Sequence, residues 1–94
     1  MKVVATGPGL EKTGNTVNKW AEFVVDARRG GKAELQVTCM DVDYAPVDVI
    51  VTDNHDGTYF CRYMPRRNVK HTIIITWGKV SITHSPFRVS SQFI

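Results

Sequence analysis

The chain has 94 residues, 43% of them hydrophobic and 22% charged, with a formal net charge of +3. This length accommodates one small domain and excludes a catalytic domain joined to a separate cofactor domain. The composition is typical of a folded protein and argues against disorder. The densest basic stretch, residues 66–71, lacks an accompanying helix or aromatic platform, so we expect no nucleic-acid partner.

Short apolar–polar alternations, separated by clusters of Gly, Pro, Asn and Asp, predict seven β-strands and no long helix. The first strand covers residues 2–6 and ends at Gly7-Pro8-Gly9, because proline lacks a backbone donor. The second covers residues 17–27, and its alternation predicts that Phe23 and Val25 face the core.

The third and fourth predicted strands cover residues 33–40 and 47–52. A turn separates them, because aspartates and a proline interrupt the alternation between them. The residues of these strands expected to face inward are Leu35, Val37, Cys39, Val49 and Val51.

The second half of the chain supplies three more strands. The run from Asp53 to Gly57 predicts a tight turn, and the fifth strand follows at residues 58–64. The sixth covers residues 71–77, and the last runs from 80 towards 93 with a bend at Ser85-Pro86. Strands of this number joined by hairpins predict an all-β, two-sheet sandwich.

Two cysteines, Cys39 and Cys61, could form a disulfide. Sandwiches of the antibody type bridge their second and sixth strands, and here the second predicted strand contains no cysteine. Both cysteines occupy inward positions, where a free cysteine packs as a small hydrophobe. We therefore expect reduced thiols and, with no glycosylation acceptor or long apolar run, a cytoplasmic location without membrane insertion.

No catalytic group, metal site or cofactor site is expected. His55, His71 and His84 lie in different loops or strand ends, and none adjoins a nucleophile motif. The aspartates at positions 41, 43, 53 and 56 could indicate a calcium site, but the EF-hand spacing is absent, and Asp53 and Asp56 are explained by the turn.

Four segments stand in order along the chain at specific spacings: Gly7-Pro8-Gly9-Leu10, Phe23-Val24-Val25-Asp26-Ala27, Asp53-Asn54-His55-Asp56-Gly57-Thr58-Tyr59 and Ser85-Pro86-Phe87-Arg88-Val89. In this order they resemble a filamin-type repeat. The resemblance implies that residues 1–94 form a single domain, a seven-stranded antiparallel immunoglobulin-like β-sandwich. It also implies that the chain is one repeat of a cytoskeletal, actin-cross-linking scaffold and that it is not an enzyme.

The resemblance implies three kinds of partner: neighbouring filamin repeats, actin filaments bound through other domains of the parent protein, and extended peptides. The peptides would come from cytoplasmic tails of membrane receptors or from signalling proteins. They would add a strand to the third strand, in the groove it forms with the fourth. The residues predicted for this groove are Ala33, Glu34, Leu35, Gln36, Val37, Thr38, Cys39, Val49, Ile50 and Val51.

The chain departs from the family pattern at two places. Repeats that bind peptides well have small outward residues on the third strand, whereas this chain has Glu34 and Gln36. Two interpretations stay open: a weak or selective groove that favours a basic partner, or a protected edge in a rod spacer.

Before the sixth strand, Val69 replaces a glycine, so Asn68 is expected to supply positive φ. His71 stands where the family usually has a tyrosine. It is either a packed histidine at the strand end or a pH-sensitive one.

A second parent protein is also compatible with these motifs. Certain tripartite-motif ubiquitin ligases carry one filamin-like domain, which serves there as a spacer or as a module next to an RNA-binding region. The basic loop at residues 66–70 is compatible with that parent, whereas the segments at residues 7–10 and 53–59 are closer to a filamin rod.

Overall fold

The computed structural model describes residues 2–93, so the two ends of the predicted domain, Met1 and Ile94, lie outside the described residues. Numbered in chain order, the strands are β1 (Lys2–Thr6), β2 (Asn15–Thr16), β3 (Ala21–Arg29), β4 (Leu35–Asp41), β5 (Pro46–Val47), β6 (Val49–Asp53), β7 (Thr58–Tyr63), β8 (Lys70–Trp77), β9 (Val80–Ser81) and β10 (Phe87–Gln92). A short 3₁₀ helix covers Pro8–Leu10.

The strands form two sheets. One has the order β1-β3-β7-β6, and the other has the order β2-β10-β8-β4-β5, with β9 also paired to β8. All neighbours are antiparallel except β10 and β2, which run parallel. The predicted all-β immunoglobulin-like sandwich is confirmed. The first six predicted strands correspond to β1, β3, β4, β6, β7 and β8. The predicted last strand is divided into β9 and β10 around the bend at Ser85-Pro86, and the short β2 and β5 are separate strands that the alternation did not predict.

The predicted second strand begins too early. The backbone N–H of Val17 donates to the Gln92 carbonyl at 2.9 Å, and that of Asn18 donates to the Pro65 carbonyl at 2.7 Å. This segment is therefore bonded to the end of β10 and to the residues after β7, and it is not part of the β3 ladder. Asn18 has a φ of 66°, and the chain turns there. As a result β3 starts at Ala21.

The core lies between the two sheets and contains the inward residues of β3, β7 and β8. Phe23 and Val25 are fully buried, as predicted, and each such side chain contributes about 1.5–3 kcal/mol through burial. The buried apolar residues that form this core are Val3, Ala21, Phe23, Val25, Ala27, Cys39, Cys61, Tyr63, Ile73, Ile75, Trp77, Ile82 and Val89. Val51 has the inward parity that the alternation predicts, since it stands opposite the buried Cys61, but it is 43% exposed and so does not belong to the buried core.

Two glycines let the 3₁₀ helix pack directly on β3. A Cβ at Gly7, whose φ is 143°, would lie 2.7 Å from the Phe23 Cα, and one at Gly9 would lie 2.9 Å from the Ala21 carbonyl carbon. The hydroxyl of Tyr63 donates to the carbonyl of Gly9 at 2.6 Å. This buried bond ties β7 to the segment between β1 and β2.

The tight turn before β7 forms where the sequence predicts it. Asp53 Oδ1 accepts the N–H of His55 at 2.8 Å, and Asp56 Oδ1 accepts that of Thr58 at 2.9 Å. His55 and Gly57 supply the left-handed dihedrals, with φ of 60° and 89°.

The expectation that Asn68 supplies positive φ is wrong. Among residues 2–93, the non-glycine residues with positive φ are Asn18, Tyr44, His55, Lys79 and His84. The loop before β8 is held by side chains instead: Arg67 is anchored on aspartates of the β4–β5 turn, and the His71 ring contacts the Val69 carbonyl at 2.9 Å.

Candidate functional site

One edge of β4 is only partly occupied. Every residue of β4 pairs with β8 on one side, whereas on the other side only Cys39 and Met40 pair with β5. The Gly78 N–H donates to the Glu34 carbonyl at 2.9 Å, and ladder-bonded residues alternate along an antiparallel strand. Leu35 and Val37 therefore direct their N–H and C=O groups to the open edge, where no strand of residues 2–93 pairs with them.

An apolar groove runs beside this edge, because β6 leads back along β4 at the border of the other sheet. Val49 and Val51 stand opposite Tyr63 and Cys61 in the ladder with β7, and both of those partners are fully buried. Directly opposed residues share a face, so Val49 and Val51 point to the inside of the sandwich. Val51 is nevertheless 43% exposed, because β4 does not extend over it. The two sheets therefore diverge between β4 and β6 and leave the inner face of β6 partly open to solvent.

The structure brings four of the predicted groove residues together: Leu35 and Val37 from β4, and Val49 and Val51 from β6. All four carry inward-facing apolar side chains that are partly exposed. Ala33, Glu34, Gln36 and Thr38 are exposed along the same open edge.

Two predicted groove residues lie elsewhere. Cys39 is buried, and its edge is occupied by Val47 of β5. Ile50 stands opposite Arg62 on the outer face, 45% exposed, and points away from the groove. The open stretch of β4 and its approach is therefore residues 33–38.

Glu34 and Gln36 are exposed, as their outward positions in the alternation predict, and they flank the groove instead of lining it. A strand added to this edge would alternate its side chains between the two faces of the sheet. Its inner side chains would enter the apolar groove, and its outer ones would stand next to Gln36 and Thr38. The charge of Glu34 thus acts on the outer side chains of a ligand.

The open edge ends where β5 pairs with β4, and the buried Asp41 holds the turn between these two strands. Asp41 Oδ1 accepts the N–H groups of Asp43 and Ala45 at 2.8 and 3.0 Å, and Oδ2 accepts a bond from Arg67 at 2.9 Å. Burial raises the pKa of Asp41, but these hydrogen bonds and the guanidinium outweigh burial and hold the pKa below its usual value. The turn that places β5 on β4 is therefore rigid. The pairing of Arg67 with Asp41 and Asp43 could not be predicted from the sequence, because Arg67 is far from both along the chain and no motif connects them.

His71 lies inside the sandwich, 1% exposed, with its ring against Tyr63 and its Nδ1 2.9 Å from the Val69 carbonyl. This contact agrees with the packed-histidine interpretation. Cys39 and Cys61 are buried thiols in the same core. Burial raises the pKa of both to about 12, and the nearby Asp41 charge adds to the shift at Cys39.

Between residues 2 and 93, no group of three or more His, Cys, Asp and Glu side chains is arranged to hold a metal ion. The same range holds no helix with the length and apolarity needed to cross a bilayer. The carboxylates of Asp53 and Asp56 are bonded within the turn before β7.

Comparison with known proteins identifies relatives along nearly the whole chain. The family model described as "Filamin/ABP280 repeat" matches residues 1–88. Filamin-C of Rattus norvegicus and of Mus musculus is 51% identical over 89 residues, and Filamin-A of Drosophila melanogaster is 42% identical over 87 residues. These matches cover 95% and 93% of this chain but only 3% and 4% of the respective relatives.

Two further similarities connect the chain to tripartite-motif proteins and to a solved fold. The E3 ubiquitin-protein ligase TRIM45 of Bos taurus is 32% identical over 63 residues, which is 67% of this chain and 11% of that protein. The crystal structure of the Lin-41 filamin domain superposes with a TM-score of 0.81 at 18% identity, covering 95% of this chain and 90% of the other. At that identity the superposition supports the fold alone.

Proposed function

Because this chain belongs to the filamin repeat family, we propose that it is one repeat of a cytoplasmic, cytoskeletal actin-cross-linking scaffold. In this role it is a non-catalytic protein-interaction module. Its neighbours in the parent protein are further repeats, and actin is bound through other domains. The identity to Filamin-C along 95% of the chain supports this parent.

The repeat takes up extended peptides by strand addition to β4. The observation that carries this proposal is the open edge, where Leu35 and Val37 present unpaired backbone groups beside an exposed Val51. An added strand would satisfy those groups and cover the apolar side chains of the groove. The candidate partners are cytoplasmic tails of membrane receptors and of signalling proteins.

The outer side chains at this edge set the selectivity. A ligand residue next to Glu34 on the outer face gains a charge pair if it is lysine or arginine and suffers repulsion if it is acidic. The repeat therefore prefers a peptide with apolar residues on its inner face and basic residues on its outer face. Where a neighbouring repeat supplies its own strand to this edge, the repeat acts as a rod spacer.

The test is an NMR titration with two synthetic peptides, one alternating valine with serine and the other alternating valine with lysine. The expected result is amide shifts at Leu35 and Val37, with tighter binding of the lysine peptide. Val51→Asp places a carboxylate in the groove and is expected to weaken binding about tenfold. The matched control is Val80→Asp, since Val80 is 57% exposed on β9, away from the groove, and should leave binding unchanged. Unchanged spectra on β4 and β6 would leave only the spacer role.

A tripartite-motif ubiquitin ligase is a second candidate parent, favoured by the similarity to TRIM45. In that parent the domain would be a spacer or a module next to an RNA-binding region. The gene sequence on either side of residues 1–94 distinguishes the two parents. Further repeats indicate a filamin rod, whereas a coiled coil and a propeller indicate a ligase.

A further inference from the structure

The outer face of the β10-β8-β4 sheet carries two neighbouring concavities that are separate from the groove. The first has a volume of about 360 Å³, and its apolar lining includes Met40, Tyr44 and Ile74. The second has a volume of about 450 Å³, and its polar lining includes Lys12 and Ser90. Lys70 and Arg88 line both concavities, so the two form one continuous surface, which we call the outer cleft.

The strand register explains why two cations meet here. Arg88 of β10 stands opposite Thr72 of β8, and Ser90 stands opposite Lys70. Lys70 and Arg88 are therefore diagonal neighbours on one face, with Cβ atoms roughly 7 Å apart. The salt bridges within residues 2–93 involve Arg28, Arg67 and His55, and none involves Lys70 or Arg88. Two adjacent cations without an acidic partner attract an anion.

One carboxylate, that of Asp41, borders the outer cleft, but it is not available to these cations. Both of its oxygens are bonded, to two backbone N–H groups and to the Arg67 guanidinium. Arg67 is shared between Asp41 and Asp43, at 2.9 and 2.8 Å, so this group of three keeps one net negative charge at the turn end of the cleft. The lining also includes Lys12, so three cations outnumber that negative charge, and the cleft is net positive around Lys70 and Arg88.

The other half of the cleft offers exposed apolar area. Tyr44 is 81% exposed and Val42 is 56% exposed, both on the turn between β4 and β5. This turn is held in place, since the Tyr44 N–H donates to the Asp41 carbonyl at 3.0 Å. An exposed tyrosine on a hydrogen-bonded turn, beside cations, is typical of an anchor residue in a protein interface.

We propose that the outer cleft binds an acidic extended peptide segment that carries an apolar side chain. The apolar side chain packs on Met40, Ile74 and Tyr44, and the flanking carboxylates lie against Lys70 and Arg88. Charge complementarity selects this occupant, because a basic or purely apolar segment would leave the two cations unpaired. The surface is distinct from the β4 edge, which favours a basic peptide, so the two sites take peptides of opposite charge.

The test uses this chain and a fluorescent synthetic peptide in which glutamates flank a central leucine and phenylalanine. Fluorescence anisotropy measures the affinity, and NMR locates the bound peptide. The double variant Lys70→Gln/Arg88→Gln is expected to weaken binding about tenfold, and Tyr44→Ser several-fold. The control is Lys32→Gln/Lys79→Gln, which removes the same charge from exposed loop positions outside the cleft and should change affinity less than about twofold.

Four outcomes would overturn the proposal. Equal losses in the two double variants would show that binding follows net charge alone. Shifts confined to Leu35 and Val37 would place the acidic peptide in the groove. Equal binding of a glutamate peptide without apolar residues would exclude the apolar half of the cleft. Shifts at Thr72 and Arg88 that follow protein concentration without peptide would identify a self-association surface.

Discussion

The hydroxyl of Tyr63 offers a direct measurement of how strongly the first loop is tied to the core. Tyr63→Phe removes one oxygen and leaves the ring in place, but it deprives the buried Gly9 carbonyl of a donor 2.6 Å away. Burial also raises the pKa of the Tyr63 hydroxyl, so it stays a neutral donor throughout the usual working range of pH. The perturbation is therefore the loss of a single hydrogen bond.

The expected cost is about 1–3 kcal/mol, which is the range for leaving a buried polar group unpaired. In a domain of this size each kcal/mol corresponds to about 4–8 °C in Tm. A loss of 2 kcal/mol therefore lowers Tm by about 8–16 °C. Urea denaturation followed by tryptophan fluorescence measures the free energy, and an unchanged m-value shows that the unfolding transition is the same.

The matched control is Tyr59→Phe, which removes the same atom from a ring that packs against Trp77. Within residues 2–93 the structure shows no hydrogen bond to the Tyr59 hydroxyl, so its loss should change stability by less than about 0.5 kcal/mol. If Tyr63→Phe were as mild as this control, the bond to Gly9 would not hold the loop, and the reasoning would fail.

Two further predictions concern the core and the first loop. Burial raises the pKa of Cys39 and Cys61 to about 12, so both thiols should react with Ellman's reagent at pH 8 only after unfolding by denaturant. Rapid labelling of the native chain would show that the core opens readily. Gly7→Ala should lower the free energy of unfolding in urea by more than about 3 kcal/mol, because its Cβ would lie 2.7 Å from the Phe23 Cα. The control Gly31→Ala, also at positive φ but in open space, should lower it by about 1–2 kcal/mol. Equal losses would show that close packing at Gly7 is unimportant.

The strands were predictable where alternation and turn residues agreed. β1 ends at Thr6, as predicted, because Gly7 and Pro8 stop it, and the turn before β7 follows from its aspartates and glycine. The inward positions of β3 were predictable for the same reason, since Phe23 and Val25 alternate with polar or exposed residues.

The details that the sequence did not reveal depend on tertiary contacts. Val17 has the apolar character of a strand residue, but its N–H pairs with Gln92, more than seventy residues along the chain. Val51 has the inward parity of a core residue, and it is exposed because the opposite sheet ends before it. The peptide groove stays a prediction from the family resemblance. The end of the open β4 edge at Cys39 is set by β5, a two-residue strand too short to give a pattern.

The positions at which the chain enters and leaves the sandwich determine how it carries mechanical load. β1 starts opposite Arg29, at the end of the molecule where Trp77 bonds to Gly30, whereas β10 ends beside Thr16 at the other end. Tension applied between these two points pulls along the strands, and the ladder bonds lie across that direction. The bonds of β1 to β3 and of β10 to β8 are thus loaded in shear and share the force, so that they yield together instead of unzipping one at a time.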